Sequence, residues 1–376
     1  MVPLSNICVI EQGRVNAGLP QLPISKRDIS PFEFIPAWVA YAPVVLQSLI
    51  IGLARFDWAL PLSANPAIKL SGMVGESKND IFEAVGPITK QYILPFYTVK
   101  KTTGNSEDIL SKLLPTLETQ GLQYPLVAKP DLGCRGAGVK LIKNNKDLFN
   151  YIESFPTDSR FLLQAKSIYQ AEAGVFYVRQ PDEEKGKIIS MTFKYAACVV
   201  GNGVDTLEVL IQRDSRAGKL AHLYLPRHKE KLNWVVPEGE EFQLAFAGSH
   251  SRGSIFKNGN AFITPQMEQK FDEVLKDFDG FHYGRLDIKF DDISQLMSGG
   301  DFDILEINGA SSEAAHIWDS DASLTEIFST LMYQYRLLYQ IGYKQKKRGI
   351  SPPSIKQLLS AWKEEKQLVQ HYPSTD

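Results

Sequence analysis

Polar and apolar residues alternate with period two in two neighbouring runs, the pattern of strands buried on one face. In Gly284-Arg-Leu-Asp-Ile-Lys-Phe290, Arg285, Asp287 and Lys289 share one face and Leu286, Ile288 and Phe290 the other. In Asp301-Phe-Asp-Ile-Leu-Glu-Ile-Asn308 the same alternation sets Glu306 and Asn308 on one face with Phe302 and Ile304. A turn-rich connector, 291–300, joins the two runs into a hairpin, and symmetric closure places Asp287 opposite Glu306. Shorter apolar runs predict extended chain at 93–99, 125–129, 139–142, 161–166 and 187–195, while 60–66 reads as a strand end and a turn. Apolar residues at helical spacing predict helices at 77–85, with Ser77 as N-cap, and at 106–120, 146–155, 205–212, 265–278 and 324–339. A tail helix, 354–370, repeats Ile355, Leu358, Leu359 and Trp362 at that spacing and is expected to dock on the rest. The mixture is that of an α/β (α+β) chain.

The stretch 34–54 departs from this pattern, with no charge between Glu33 and Arg55. Its length approaches that of a membrane span. Against a span, Pro36, Pro43, Gln47 and Ser48 interrupt it, and Pro43 is expected to end or kink a helix. Three readings stay open: a helix buried in the fold or in a subunit interface, a weak peripheral membrane contact, and a span. Trp38, Tyr41, Phe56 and Trp58 at its ends suit an interfacial belt or ordinary packing.

Composition narrows the classes. The 376 residues suggest about two or three structural units. A net charge of −2 implies no general attraction to nucleic acid. Cys8, Cys134 and Cys198 are odd in number and widely spaced, so they form neither a disulfide framework nor a zinc motif, and a reducing cytoplasm fits best. The N-terminus lacks a basic region followed by an apolar core, so no signal peptide is expected.

Two segments carry chemistry. Carboxylates facing each other across a hairpin repel. A site that puts them there has a cation to hold, and carboxylates with an asparagine are ligands Mg²⁺ accepts; a solvated acidic face is the plainer alternative. The second segment is Pro125-Leu-Val-Ala-Lys129-Pro-Asp-Leu-Gly133-Cys-Arg135-Gly136-Ala-Gly138-Val139, a strand, a glycine-rich loop and the start of another strand. Such glycines let backbone N–H groups turn toward an anion, or simply permit a tight turn. No Gly-Lys-Ser/Thr and no helix pattern follow, so the loop is neither a Walker nor a Rossmann motif.

Together these segments resemble the ATP-grasp superfamily, which includes D-alanine–D-alanine ligase and other carboxylate–amine ligases, over roughly 75–338. The resemblance implies two lobes clamping ATP, with Mg²⁺ (or Mn²⁺) beside it. It implies that Lys129 and Lys78 contact the phosphates and that Arg135, Gly136 and Gly138 lie in the loop covering them. Phe161-Leu-Leu-Gln164-Ala-Lys166 is similar to the adenine hinge and Glu172 to the ribose-binding Glu, although Gln164 stands where the ligases often have Glu, and the spacing to Glu172 is one residue longer. Lys194 is similar to a further phosphate-contacting Lys, and Arg285 to the arginine near the transferring phosphoryl group. Asp287, Glu306 and Asn308 match the metal ligands. Ser311 and Ser312 lie in a stretch that borders substrate in the ligases, or cap a helix start. His250 and Arg252 are candidates to hold a substrate carboxylate, or belong to a solvated loop.

The expected organisation is an N-terminal region 1–74 with an apolar helix, an ATP-grasp domain 75–345 (small lobe 126–186, large lobe 187–345), and a tail 346–376. The region 1–74 is shorter than the α/β domain that the ligases carry there. The expected function is an ATP-dependent ligase joining a small carboxylate to an amine, or less readily a thiol, through an acyl phosphate. A phosphotransferase on the same scaffold and a non-catalytic nucleotide-binding protein are the alternatives, and a homodimer stays open.

Overall fold

The computed structural model describes residues 15–23, 25, 27, 30, 32, 35–133, 136–246, 248, 250, 253–373 and 375. Two antiparallel sheets organise it. The first holds β1 (Phe96–Lys100), β2 (Leu126–Pro130), β3 (Lys140–Ile142) and β4 (Arg160–Ala165), in the order β1-β4-β2-β3. Helices Ser106–Thr119 and Asn145–Ser154 cover one side through Leu113, Leu117, Leu148 and Ile152. Asn105 and Asn144 start these helices by accepting from backbone N–H groups of the first turn.

The second sheet holds β5 (Ala171–Val178), β6 (Lys187–Tyr195), β9 (Ile255–Asn258), β10 (Tyr283–Phe290) and β11 (Phe302–Asn308), in the order β11-β10-β5-β6-β9. Between β6 and β9 the chain builds a small unit of its own, from β7 (Cys198–Val200), β8 (Glu241–Gln243) and helices Leu207–Arg213 and Ala221–Arg227, around Leu207, Ile211, Tyr224 and Val236. One face of the five-stranded sheet packs Val175, Met191, Leu286, Ile288 and Ile304 against helices Pro265–Leu275 and Lys78–Ala84. On the other face, helix Leu324–Lys347 packs through Leu337, Leu338 and Ile341 on Phe176, Val178 and Tyr283. The rest of that face carries polar side chains.

The hairpin closes as its pattern predicts, with Asp287 opposite Glu306 and Arg285 opposite Asn308. The alternation does not run unbroken along β11. Ile304 opposes Ile288 and Phe302 opposes Phe290, so the register shifts and Leu305 is an extra, bulged residue. Phe302 and Ile304 therefore lie in the apolar core, and Glu306 and Asn308 do not share their face as period two suggests. The bulge separates an apolar half-strand from a polar one.

Other elements differ in detail. Residues 60–63 form a 3₁₀ turn rather than a strand end, the 291–300 connector contains the helix Ile293–Met297, and Leu324–Lys347 runs two turns past its predicted end. The uncharged stretch breaks at Tyr41 into helices Ala37–Ala40 and Ala42–Arg55, the second with proline in its first turn. No helix among the described residues is long and apolar enough to cross a membrane.

Candidate active site

The polar end of the five-stranded sheet is built row by row. Asp287, Gly174 and Thr192 are aligned across β10, β5 and β6, with Glu306 beyond Asp287 on β11. The next row sets Glu172 opposite Lys289, with Lys194 beside it on β6. Gly174 is what lets two long side chains cross the sheet here: a Cβ in its place would lie 3.0 Å from Arg285 Cδ and 3.2 Å from Asp287 Oδ1.

Cations and carboxylates interlock in this space. Arg285 donates to both Asp287 oxygens, from Nε at 2.8 Å and from Nη2 at 3.2 Å. Lys194 Nζ lies 3.0 Å from Asp287 Oδ1 and 3.2 Å from Glu172 Oε1. Lys78 reaches in from the start of its helix to Glu306 Oε1 at 3.1 Å, and donates to the Gly133 carbonyl at 3.0 Å. Lys129 crosses between the sheets: from β2 it donates to Gln164 Oε1 at 2.6 Å and to the carbonyl of the bulged Leu305 at 2.8 Å. The bulge that redirects Glu306 thus also supplies Lys129 with an acceptor.

Burial sets the electrostatics. Burial is the largest influence on Asp287 and would raise its pKa, yet Arg285 and then Lys194 hold the carboxyl below its ordinary value. Glu306 behaves alike, with burial and Asp287 pushing up and Lys78 and Lys129 pulling it below. Burial drives Lys129 down to about 8, against the pull of Glu306. Burial also raises Glu76 to about 8, with Glu306 adding to it, although the Gly309 N–H, Lys78 and Arg285 oppose the rise.

Two polar atoms here, Asn308 Nδ2 and Thr192 Oγ1, are buried with no hydrogen-bond partner. Buried polar groups are normally paired, so these two mark places for atoms of a ligand. Among the described residues no three His, Cys, Asp or Glu side chains cluster as a ready cation cage. The pair Asp287–Glu306 plus the Asn308 amide is the nearest arrangement.

The structure thus gathers Lys78, Lys129, Gln164, Glu172, Lys194, Arg285, Asp287, Glu306 and Asn308. Gln164 is buried and serves as Lys129's anchor. Lys166 stands at the end of β4, close enough for its charge to act on Lys289. Gly136 and Gly138 both take left-handed backbone, at φ 69° and 71°. Ser311 donates its N–H to the Gly72 carbonyl, and Ser312 turns its hydroxyl back onto the Gly309 carbonyl at 2.5 Å, as a turn-capping residue does. His250 borders the sheet at β9, its ring 5.3 Å from Phe256, which pairs with Lys194, and 5.1 Å from Trp318. Arg135 and Arg252 lie outside the described residues.

Four participants were not singled out from sequence. Glu76 accepts from the Gly309 N–H at 3.0 Å, and its carboxylate fills the space beside Gly72; its place two residues before Lys78 was the available signal. Thr192 and Gly174 carried no signal beyond strand position. The fourth is the tail. Thr375 accepts from the Gly138 N–H at 3.0 Å and donates to the Gly136 carbonyl at 2.8 Å, while Tyr372 donates to the Leu132 carbonyl at 2.7 Å. The glycine-rich loop is therefore strapped at both ends by residues more than two hundred positions away.

No protein-family model matches the sequence, and no curated protein does. Among solved structures, the chain is similar to a bifunctional glutathione synthetase from Pasteurella multocida (15% identity, TM-score 0.35, 70% of this chain and 36% of that one). It is similar to the VanG D-Ala:D-Ser ligase from Enterococcus faecalis (14%, TM-score 0.39, 71% and 64%). It is also similar to a D-alanine–D-alanine ligase from Bacillus anthracis (14%, TM-score 0.41, 76% and 72%). The chain spans about a third of the first of these and just under two thirds of the second. It is the side chains, not this likeness, that carry the functional conclusion.

Proposed function

We propose that the protein is an ATP-dependent ligase that joins a small-molecule carboxylate to an amine, with an acyl phosphate between the two steps. The observation that carries this is the convergence of Lys78, Lys129, Lys194 and Arg285, from both sheets and the Lys78–Ala84 helix, on the Asp287–Glu306 pair. These four cations, two buried and two half-buried, outnumber the three carboxylates they pair with, Asp287, Glu306 and Glu172, and the substrate suited to that excess is a polyanion.

ATP phosphates would lie between the glycine-rich loop and the sheet face. Lys129 and Lys78 would exchange their contacts to the Leu305 and Gly133 carbonyls for phosphate oxygens. Asp287, Glu306 and Asn308 fit a divalent cation: their oxygens are the hard donors Mg²⁺ or Mn²⁺ takes, and the unpartnered Asn308 amide can turn its Oδ1 into that position. Such an ion, when bound, neutralises charge on the phosphates. A carboxylate oxygen of one substrate attacks the γ-phosphorus and ADP departs, leaving an acyl phosphate. Arg285 and Lys194, held by Asp287, stabilise the charge that spreads over the moving phosphoryl oxygens. The amine nitrogen then attacks the acyl carbon and loses a proton, and phosphate leaves. No enzyme nucleophile is needed, because holding the reactants in place is itself worth about 7–11 kcal/mol of barrier.

The test is a screen for ADP release over pairs of amino acids and small acids. Mass spectrometry should find a product lighter by one water than the two substrates combined. Hydroxylamine in place of the amine should trap the acyl phosphate as a hydroxamate. ADP release that yields a phosphorylated acid or alcohol and no hydroxamate would replace the ligase with a phosphotransferase.

A further inference from the structure

Helix Ala42–Arg55 is attached to the fold along one side. Val44 packs with Phe32 and Ala40 against Ile317, Ile327 and Leu331, and Gln47 donates to the Met332 carbonyl at 2.8 Å. Its outer side is apolar and bare. Val45, Leu46, Leu49, Ile50 and Leu53 lie within one contiguous face at helical spacing, and Phe56 follows as the left-handed residue that ends the helix, with Leu46 60%, Leu53 62% and Phe56 90% exposed. Trp38 and Trp58 extend the face at its ends, 78% and 51% exposed. At about 150–250 Å² for each large side chain, these exposures sum to roughly 1,000 Å², above the few hundred Å² usual for the largest patch on a monomer.

We propose that this face is the interface of a homodimer, in which the helix packs against the same helix of a second copy. The area is that of one partner in a standard interface, about 800 Å². The face has no charge from 34 to 54, so a second copy can meet it without leaving a buried charge unpaired, as a two-fold contact of a surface with itself requires. A lipid surface fits less well. A helix lying in a membrane carries a polar face rich in lysine and arginine, whereas the opposite side of this one is packed on the 324–347 helix. Its one cation, Arg55, is stacked 4.1 Å over the Tyr343 ring. The contact would also bear on the site. Phe32, in the layer under the helix, packs 4.7 Å from Trp318, whose indole N–H donates to Glu313, whose carbonyl in turn accepts from Arg285.

Sedimentation velocity of the full chain over a concentration series tests this, and needs no nucleotide or substrate. The wild type should approach twice its 42.1 kDa at micromolar concentration. Leu46→Glu with Ile50→Glu should hold it at the monomer mass. Leu53→Glu alone, at a residue with little burial to lose, should weaken association at least tenfold while the circular-dichroism melt stays cooperative. A wild type that stays monomeric throughout overturns the proposal. So does one that floats with phosphatidylglycerol vesicles as a monomer, or variants that fold and still dimerise.

Discussion

At the scale of single residues, Lys129 has two properties that make its role measurable. It is buried between two carbonyl-type acceptors, and burial brings its pKa down to about 8. Phosphate oxygens would raise that pKa again, so ATP binding should take up a proton above pH 8. Affinity should be fully present below that pH and weaken as pH rises through it. Titration calorimetry in buffers of different ionisation enthalpy will show the uptake, and Lys129→Ala should lose both the pH dependence and most of the binding. Glu76 supplies a second pH signal, this time in stability. Its folded pKa is raised from 4.5 to about 8, so its favourable contribution is complete below pH 4.5 and is lost as pH climbs to 8. Glu76→Gln should therefore flatten the decline in melting temperature across that window; an unchanged profile would mean that the carboxyl does not titrate there. Arg285 holds Asp287 with two hydrogen bonds at the point where the phosphoryl group is expected. Once a substrate pair is known, Arg285→Ala should lower kcat by about 10²–10³ and change the ATP dissociation constant far less. The reverse pattern, intact kcat with weak ATP binding, would remove it from the chemistry.

At the scale of elements, the periodic ones were legible. Helix 106–120 and strand 187–195 emerge within a residue of their predicted limits; the helix keeps its apolar period, while the strand carries the adjacent pair Ile188 and Ile189 where its register with β5 shifts. The hairpin's facing carboxylates were expected too, but it is the bulge that brings them together: continued without it, the Phe290–Phe302 register would set Asp287 opposite Leu305. The bulge was not read, although the run breaks its own alternation: Ile304 and Leu305 are adjacent apolar residues, and the polar positions change parity after them. Pairing with β10 shows that Leu305 is the extra one. The strapping of the loop by the tail was invisible, since nothing in Tyr372 or Thr375 names a partner at Leu132 or Gly138. Tyr372 stacks at 5.4 Å and 12° on Phe155, in the core of the four-stranded sheet. The helix before it, Ile355–Val369, buries only Ala361. An element anchored mainly at its end is stabilised by that end. Tyr372→Ala, at a half-buried ring, should cost about 1–3 kcal/mol and raise hydrogen exchange in the glycine-rich loop and the tail together. Tyr372→Phe, which keeps the ring, should retain most of the stability. Loss of protection in the tail alone would show that the strap does not hold the loop.

At the scale of the whole molecule, Leu162 of β4 and Phe96 of β1 pack into the apolar core of the five-stranded sheet, while the side chains that meet across the site are polar. The polar joins include Lys129 to Leu305, Ser77 bonded to Asp131, Ser167 to Asp303, and Lys78 bridging Glu306 and the Gly133 carbonyl. Each of the two lysines spans from one body to the other, and each is a group that phosphate is expected to recruit. A polyanion between the sheets would replace these few contacts with many, and so would stabilise the assembly as a unit. A ligand at a hundredfold excess over its Kd adds about 2.7 kcal/mol to stability. At about 2 °C per kcal/mol for a large chain, ATP with magnesium should raise the melting temperature by about 5 °C. ADP should raise it less, because it lacks the γ-phosphate. Asp287→Asn and Glu306→Gln keep size while removing charge, so both should fold and both should abolish the part of the shift that depends on magnesium. Lys129→Ala should lower the melting temperature without ligand, since it cuts a tie between the sheets, and should also lose most of the nucleotide shift. The two effects are separable, because the first is read in the absence of ATP. A wild-type melting temperature indifferent to millimolar ATP and magnesium would leave the cationic cleft without the ligand that its charge calls for, and the nucleotide reading would fail with it.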